Sequence, residues 1–424
     1  MSSDTVGTSV HDIATAIEEA AERLDGVAVT TPLERSPRLS AATGADVWLK
    51  REDLQPVRSY KLRGAYNLIS QLDDEQRSRG VVTASAGNHA QGVAFACAAL
   101  GIRGRIHLPS GTPRQKRDRI AVIGGEWVDV VMGAETYDEV SQSATSDARS
   151  SGATLVPAFD DPRVIAGQGT VVREVVEQLG AAPDVVVVPV GGGGLVAGTV
   201  AWLSVHHPHV RVVGVEPEGS PNLAAALAAG EPVTLPTIDT FVDGASVRRA
   251  GDHTTAVASQ GALELVAEPE GSICREMLSL YQVDGIIAEP AGALATGAIA
   301  SGTITVEAGQ RVVCVLSGGN NDVSRYADVV ERALVHEGRK HYFLVDFAQE
   351  PGALRQFLDE ILGPDDDITL FEYVKRSNRE TGPALVGIEL ARAEDLASLL
   401  ERMEAAPPSI EKIDSTSPLF RFLL

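Results

Sequence analysis

A lysine among aromatic and small residues, a run of four glycines and several short polar turns are the parts of this sequence that could do chemistry. The lysine is Lys61 in V-R-S-Y-K-L-R-G-A-Y, Val57 to Tyr66. The chain holds six lysines against thirty arginines, and only an amine can form a Schiff base with a carbonyl. A lysine kept where arginine is the habitual cation therefore points to amine chemistry. A helix start with its charged head in water fits the same residue. The glycine run G-G-G-G-L covers Gly191, Gly192, Gly193, Gly194 and Leu195, between the β-formers D-V-V-V-V-P-V and the helix-like A-G-T-V-A-W-L. Bare amides at a helix N-terminus suit a phosphate, because the helix dipole favours an anion there. A tight turn packing helix on strand explains the glycines equally. The run lacks the G-K-[ST] ending of a P-loop and the spacing of the dinucleotide fingerprint.

Three further turns follow predicted strands. In A-S-A-G-N-H-A-Q-G, Ala84 to Gly92, the residues Ser85, Ala86, Gly87, Asn88 and His89 could grip a carboxylate, and Asn88 could meet a ligand oxygen. An ordinary N-cap by Ser85 or Asn88 is the other reading. Ser317 opens S-G-G-N-N and offers a hydroxyl, or a plain turn. Glu289, in A-E-P-A-G-A, faces a cavity on this reading. The cluster H-H-P-H, His206 to His209, sits where a helix should end, so the helix C-terminus accounts for it better than a metal does. The cysteines Cys97, Cys274 and Cys314 are far apart with no C-x-x-C, which excludes a zinc ribbon or disulfide framework and suits buried thiols in a reducing compartment. Taken together, a lysine, a phosphate cradle, a carboxylate grip and a neutral hydroxyl are what is needed to hold a phosphorylated aldehyde with an amino acid beside it.

The elements that must carry these residues alternate. A first amphipathic helix spans Ile13 to Leu24. D-V-W-L-K, G-V-V-T-A-S, R-G-R-I-H-L, E-W-V-D-V-V, A-T-L-V-P-A, D-V-V-V-V-P-V, R-V-V-G-V-E-P and R-V-V-C-V-L read as strands, with helices between most of them. Continuous apolar β-formers mark strands covered on both faces, so the part to about residue 332 is α/β with parallel sheets and ligands at the carboxyl ends of strands. From about residue 339 the order becomes strand, helix, strand, strand, helix, strand, the last strand being L-F-R-F-L-L. That is a ferredoxin-like α+β unit.

At 424 residues with 44% hydrophobic content and a net charge of −22, the chain can bury a large core and is a poor partner for nucleic acid or an anionic membrane. No apolar run is long enough to span a bilayer, and the first residues lack a basic and apolar leader. The expectation is a cytoplasmic protein.

S-Y-K-L-R-G-A, S-A-G-N-H-A-Q-G, G-G-G-G-L, A-E-P-A-G-A and S-G-G-N-N, in this order, resemble the fold-type II pyridoxal-phosphate enzymes, and more closely the biosynthetic threonine dehydratases (threonine ammonia-lyases). The resemblance runs from about Ile13 through the C-terminal part, which resembles a single ACT-like regulatory domain. It implies a catalytic domain over 1–332 built like tryptophan synthase β, with a smaller parallel-sheet subdomain at about 62–155 inserted in the larger, and an ACT-like domain over 339–424. It implies pyridoxal 5'-phosphate held covalently by Lys61. Its phosphate would lie on Gly191, Gly192, Gly193, Gly194 and Leu195, its ring hydroxyl near Asn88 and its ring nitrogen near Ser317, with the substrate carboxylate on the loop from Ser85 to His89. The implied reaction is deamination of L-threonine to 2-oxobutyrate and ammonia by β-elimination of water, the first step of isoleucine biosynthesis, with L-serine as the alternative substrate.

Isoleucine is the implied feedback effector, with valine as a possible second effector. A single ACT-like unit implies pairing between chains, hence a homodimer or homotetramer. Relatives that racemise serine carry a second serine where this chain has Ala86, and a methyl group cannot carry a proton. Glu216 occupies a place where relatives can put a cation ligand, but Asn222 stands where a carboxylate would help, so no metal is expected. The competing readings are a serine or hydroxyaspartate dehydratase, a racemase, a non-catalytic amino-acid sensor, and a nucleotide-binding regulator.

Overall fold

The computed structural model describes residues 8–373, 380–406, 409–414 and 417–423. It divides into two compact units, Met1–Asn321 and Asp322–Leu424. The first holds β1 (Leu33–Arg35), β2 (Asp46–Arg51), β3 (Val81–Ala84), β4 (Gly104–Leu108), β5 (Val128–Met132), β6 (Thr154–Leu155), β7 (Val185–Pro189), β8 (Arg211–Pro217), β9 (Leu263–Glu268) and β10 (Arg311–Leu316). The second holds β11 (Lys340–Ala348), β12 (Asp367–Tyr373), β13 (Thr381–Glu389) and β14 (Ser409–Lys412).

Two sheets build the first unit. The larger has the order β1-β2-β10-β7-β8-β9, parallel throughout except for β1, which runs antiparallel on the edge. The smaller, β5-β4-β3-β6, is fully parallel. The valines of β7 are buried along its whole length, as a strand covered on both faces requires. Helix Val10–Leu24, capped by the Ser9 side chain, buries Ile13, Ile17, Ala20 and Leu24. Ile13, Ile17 and Ala20 share a core with Ile165, Val172, Val196 and Val200. Each of these isoleucine and valine side chains contributes about 1.5–3 kcal/mol when fully buried.

The order of the strands explains where the singled-out residues meet. β2, β10 and β7 are neighbours in the larger sheet, so their carboxyl ends lie side by side. β2 leads towards Lys61, β10 ends at Ser317 and β7 ends at the glycine run. The amide of Tyr60 donates to the Ser317 carbonyl at 3.2 Å, and Ser59 bridges Gly318. Helix Lys61–Ser70 then runs between helices Asn88–Leu100 and Pro162–Leu179 at very close range. A Cβ on Gly92 would fall 2.9 Å from the Lys61 carbonyl oxygen, and one on Gly167 only 2.6 Å from that of Arg63.

The second unit is one antiparallel sheet, β12-β13-β11-β14, the ferredoxin-like order. Phe343, Val345 and Phe347 of β11 and Ala384, Val386 and Ile388 of β13 share a core with Phe357, Leu399 and Met403 from helices Ala353–Glu360 and Leu396–Ala405. Alternate strand positions point to one face, so both helices cover the same side. One expectation is corrected: L-F-R-F-L-L is not the last strand. β14 forms earlier, on S-I-E-K, and Pro418–Leu423 is a helical turn. Pro418 suits the first position of a helix, and the Ser417 hydroxyl accepts from the Leu419 amide at 3.3 Å. Val374 to Arg376 of the expected I-T-L-F-E-Y-V-K-R strand, and Leu424, lie outside the described residues.

Candidate active site

Five helices of the first unit are capped at their N-terminus by a side chain: Ser9, Ser36, Asp73, Thr136 and Asp161. The helices beginning at Lys61, Asn88 and Gly194 have no side-chain cap hydrogen bond. The first amides of a helix have no intrahelical acceptor, so three helix starts offer donors and positive dipole ends to whatever lies between them.

Lys61 is the first residue of its helix. Its Nζ donates to the Ala158 carbonyl at 2.9 Å and lies 5.3 Å from the Tyr60 ring centre. Burial pulls this amine down to about 8, against the opposing pull of Glu289. Its hydrogen-bond partner is a neutral carbonyl rather than a carboxylate, so the amine can leave it without breaking an ion pair. The other charged amines of the first unit are tied differently: Lys50 to Glu174 at 2.8 Å and Lys116 to Asp243 at 2.9 Å.

The segment that receives the lysine also shapes the glycine turn. Next to Ala158, the Phe159 ring packs on the turn so tightly that a Cβ on Gly192 would sit 2.3 Å from it. Asp160 accepts from the amides of Asp252 and His253 at 3.0 and 2.8 Å. Thr254 donates its hydroxyl to the Gly192 carbonyl at 2.8 Å. Gly193 has φ +93°, a left-handed conformation that a side chain would strain. Here glycine is required by both space and backbone angle, and the turn directs its bare amides from Gly191 to Leu195 at a helix N-terminus.

On the other side, β3 is followed by Ser85, whose hydroxyl accepts from the Gly87 amide at 3.3 Å. Gly87 is the cap residue of helix Asn88–Leu100, and no atom lies within 4 Å of where its Cβ would be. Asn88 donates Nδ2 to Glu289 Oε1 at 2.6 Å and accepts at Oδ1 from Asn320 at 2.7 Å. Ala86 is partly buried beside them. The His89 ring is turned into the interior, where Nε2 meets the Val156 carbonyl at 3.0 Å. A carbonyl only accepts, so Nε2 carries the proton. Burial and the nearby Lys61 charge push His89 down to about 3, which makes its ring neutral. Only its backbone can serve the loop. Ser317 is buried, and its hydroxyl makes one long bond of 3.3 Å to the Ala291 carbonyl. Burial and Asp243 raise Glu289 to about 7, against Asn88, Lys116 and the Asn320 amide.

These contacts form a chain: Gly192 to Phe159, Ala158 to Lys61, Tyr60 to Ser317, Gly318 to Glu289 and Glu289 to Asn88. The structure thus brings together Lys61, the glycine turn, Asn88 and Ser317, with the Ser85–Gly87 turn joined to Asn88 by sequence. His206 to His209 stay apart from it at the end of their helix, where His206 stacks on Trp202. Sequence reasoning gave no role to Ala158, Phe159, Thr254 or Asn320. The double aspartate before a proline in F-D-D-P was a signal for two successive caps, and Asn320 stood inside the motif S-G-G-N-N. Among the described residues no group of three His, Cys, Asp or Glu could hold a metal. Glu216, buried and raised to about 7 by that burial, accepts from the amides of Leu223 and Ala224 at 2.7 and 3.0 Å, a structural use.

The arrangement fits a phosphorylated aldehyde. The uncapped glycine turn, into which Phe159 allows no side chain, suits the phosphate, and the weakly held amine of Lys61 suits the aldehyde. Asn88 and Ser317 each keep hydrogen-bonding capacity for the ring between them.

Comparison with known proteins agrees. The family model described as pyridoxal-phosphate dependent enzyme matches residues 25–318, and the C-terminal regulatory domain of threonine dehydratase matches residues 331–423. The chain is 59% identical over 410 residues to the biosynthetic L-threonine dehydratase IlvA of Mycobacterium tuberculosis, covering 96% of this chain and 95% of that one. It is 45% identical over 408 residues to the same-named protein of Bacillus subtilis, covering 96% of each. Among solved structures it is similar to the processed form of threonine deaminase isoform 2 from Solanum lycopersicum, with 36% identity and a TM-score of 0.72 over 78% of this chain and 96% of that one. It is similar also to maize serine racemase, with 30% identity and a TM-score of 0.70 over 76% of this chain and 98% of that one.

Proposed function

We propose that this chain, which belongs to the pyridoxal-phosphate-dependent biosynthetic threonine dehydratase family, deaminates L-threonine to 2-oxobutyrate and ammonia. The observation that carries the reading is the placement of the Lys61 amine, on a neutral carbonyl between the glycine turn and Asn88. Bound pyridoxal phosphate supplies an electron-withdrawing ring that makes the Cα proton of an attached amino acid removable and its β-hydroxyl expellable. Lys61 would hold the cofactor's aldehyde through Nζ, and with substrate bound the same Nζ would be placed to remove the Cα proton of threonine. The amides from Gly191 to Leu195 would hold the phosphate, and the Ser85–His89 backbone would hold the substrate carboxylate.

Ser317 would offer the cofactor's ring nitrogen a neutral hydroxyl, which cannot keep that nitrogen protonated, and this would favour prompt loss of the β-hydroxyl. The likeness to maize serine racemase raises racemisation as a second reading. Ala86 opposes it, because no base stands at that position to return a proton to the other face.

We also read the chain as two functional parts, a catalytic part to about 332 with an inserted smaller subdomain, and a regulatory part from about 339. Isoleucine is the effector this reading assigns to the regulatory part, with valine as a second branched-chain effector, in a cytoplasmic homodimer or homotetramer. In support, the C-terminal residues match a threonine dehydratase regulatory domain, and among the described residues no helix is long and apolar enough to cross a membrane. The test is the product made from L-threonine and L-serine by wild type and by Lys61→Ala. The reading predicts 2-oxobutyrate from wild type, faster than pyruvate, and no turnover in the variant. Near-normal turnover by Lys61→Ala would overturn it.

A further inference from the structure

We infer that Glu289 and Asn320 are positioning residues that clamp the Asn88 carboxamide from its two sides, leaving one of its N–H groups for the bound cofactor. The inference rests on the reading of this site as a pyridoxal-phosphate site. Its geometry fixes which end of each amide is which. The Val57 carbonyl can only accept, so the end of Asn320 that meets it at 2.8 Å is the NH2 group. The same Nδ2 spends its second hydrogen on Asn88 Oδ1 at 2.7 Å. Asn88 must then turn its own NH2 to Glu289, at 2.6 Å. Rotating the Asn88 amide by half a turn would set donor against donor at Asn320 and oxygen against carboxylate at Glu289, and rotating that of Asn320 would set its oxygen against the Val57 carbonyl. Of the two hydrogens on Asn88 Nδ2, one is thus committed to Glu289 and the other is free.

Glu289 is held in place for this task, accepting from the Asn88 side chain and from the backbone amide of Asn320. It occupies the N-cap position of helix Pro290–Ala300 but makes no side-chain cap bond there. It is 4% exposed. A Cβ on Gly318 would fall 2.4 Å from its Oε1, and one on Gly244 3.4 Å away. Two glycines thus make room for the carboxyl group.

The groups that face it are Asp243, Lys116, Lys61 and Tyr60, together with the Asn320 amide. Burial and Asp243 hold its titration near 7. When ionised it only accepts and demands the Asn88 N–H; when protonated it can donate and the demand is relaxed. The clamp is therefore firm above neutrality and loosened below it.

The experiment is the affinity of the apoprotein for pyridoxal phosphate, read by fluorescence across neutral pH, in wild type, Glu289→Gln and Asn320→Ala, each checked for folding by circular dichroism. Wild type should show a step in affinity near pH 7 and a separate one near 8 from Lys61. Glu289→Gln keeps an oxygen for Asn88 but cannot titrate, so it should bind and lose only the step near 7. Asn320→Ala should bind about tenfold more weakly, as expected for one lost hydrogen bond to an oriented amide. An unchanged step near 7 in Glu289→Gln, or wild-type affinity in Asn320→Ala, would overturn the inference while leaving the site reading intact. Failure of wild type to bind pyridoxal phosphate would overturn both. Should Glu289→Gln not fold, Asn320→Ala decides alone.

Discussion

Lys61 works because its surroundings withhold what a surface lysine would have. It has no paired carboxylate, its head is desolvated, and the one group holding it is the Ala158 carbonyl. Desolvation penalises the ammonium, so the neutral, nucleophilic amine is populated from about pH 8 upward rather than from above 10. The sign follows directly: a depressed amine gains nucleophilicity as pH rises through its own value. Recombination of apoprotein with pyridoxal phosphate, followed by stopped-flow absorbance, should therefore quicken up to about pH 8 and then level off. A rate still climbing tenfold per pH unit well beyond that point would show an unperturbed lysine. The roles proposed for the lysine, the glycines, Asn88 and Ser317 could be read from the sequence because each is an unusual residue at a helix start or in a turn after a strand. Ala158 and Phe159 were not, since a carbonyl and a packing ring carry no mark in the sequence until the chain brings them against Lys61 and Gly192.

Helix Lys61–Ser70 starts without a cap and so needs another anchor. Arg63, two residues on and fully buried, supplies it. Its five N–H donors are all used: Nε and Nη2 on Glu52 at 2.8 and 2.9 Å, Nη1 and Nη2 on Glu174 at 2.5 and 3.0 Å, and Nη1 on Thr170 at 3.1 Å. Lys50 neutralises the second carboxylate from the other side. Arg63→Met would leave Glu52 buried beside no cation of its own. Loss of one partner of a buried pair costs about 3–5 kcal/mol, so urea unfolding should show a loss of that order. A change under about 1 kcal/mol would mean the pair is dispensable. The helix itself was legible from its spacing, whereas the network was not, because Glu52, Arg63 and Glu174 come from three separated segments. In the C-terminal unit the last strand was misplaced for a related reason. L-F-R-F-L-L has the composition of a strand, but the edge of β11 is taken by S-I-E-K, and Ser417-Pro418 starts a helix instead.

At the scale of the whole molecule, the candidate active site is assembled because three parallel strands far apart in sequence, β2, β7 and β10, are neighbours in one sheet, while β3 brings a fourth turn from the smaller sheet. The alternation of strands and helices made the fold class readable. Strand order was not, since it is set by the packing of helices on both faces rather than by any local pattern. Among the described residues the same folding ties Lys50, Lys116 and Lys340 to carboxylates and leaves Lys61 on a neutral carbonyl, which is why covalent chemistry is proposed there.

That claim has a direct measurement. The purified protein is saturated with pyridoxal phosphate, reduced with borohydride, digested, and searched by mass spectrometry for the pyridoxyl group on any lysine of the chain. The adduct should be on Lys61 and should diminish when L-threonine is added before reduction. An adduct on another lysine, or none at all in protein that forms 2-oxobutyrate, would contradict the account.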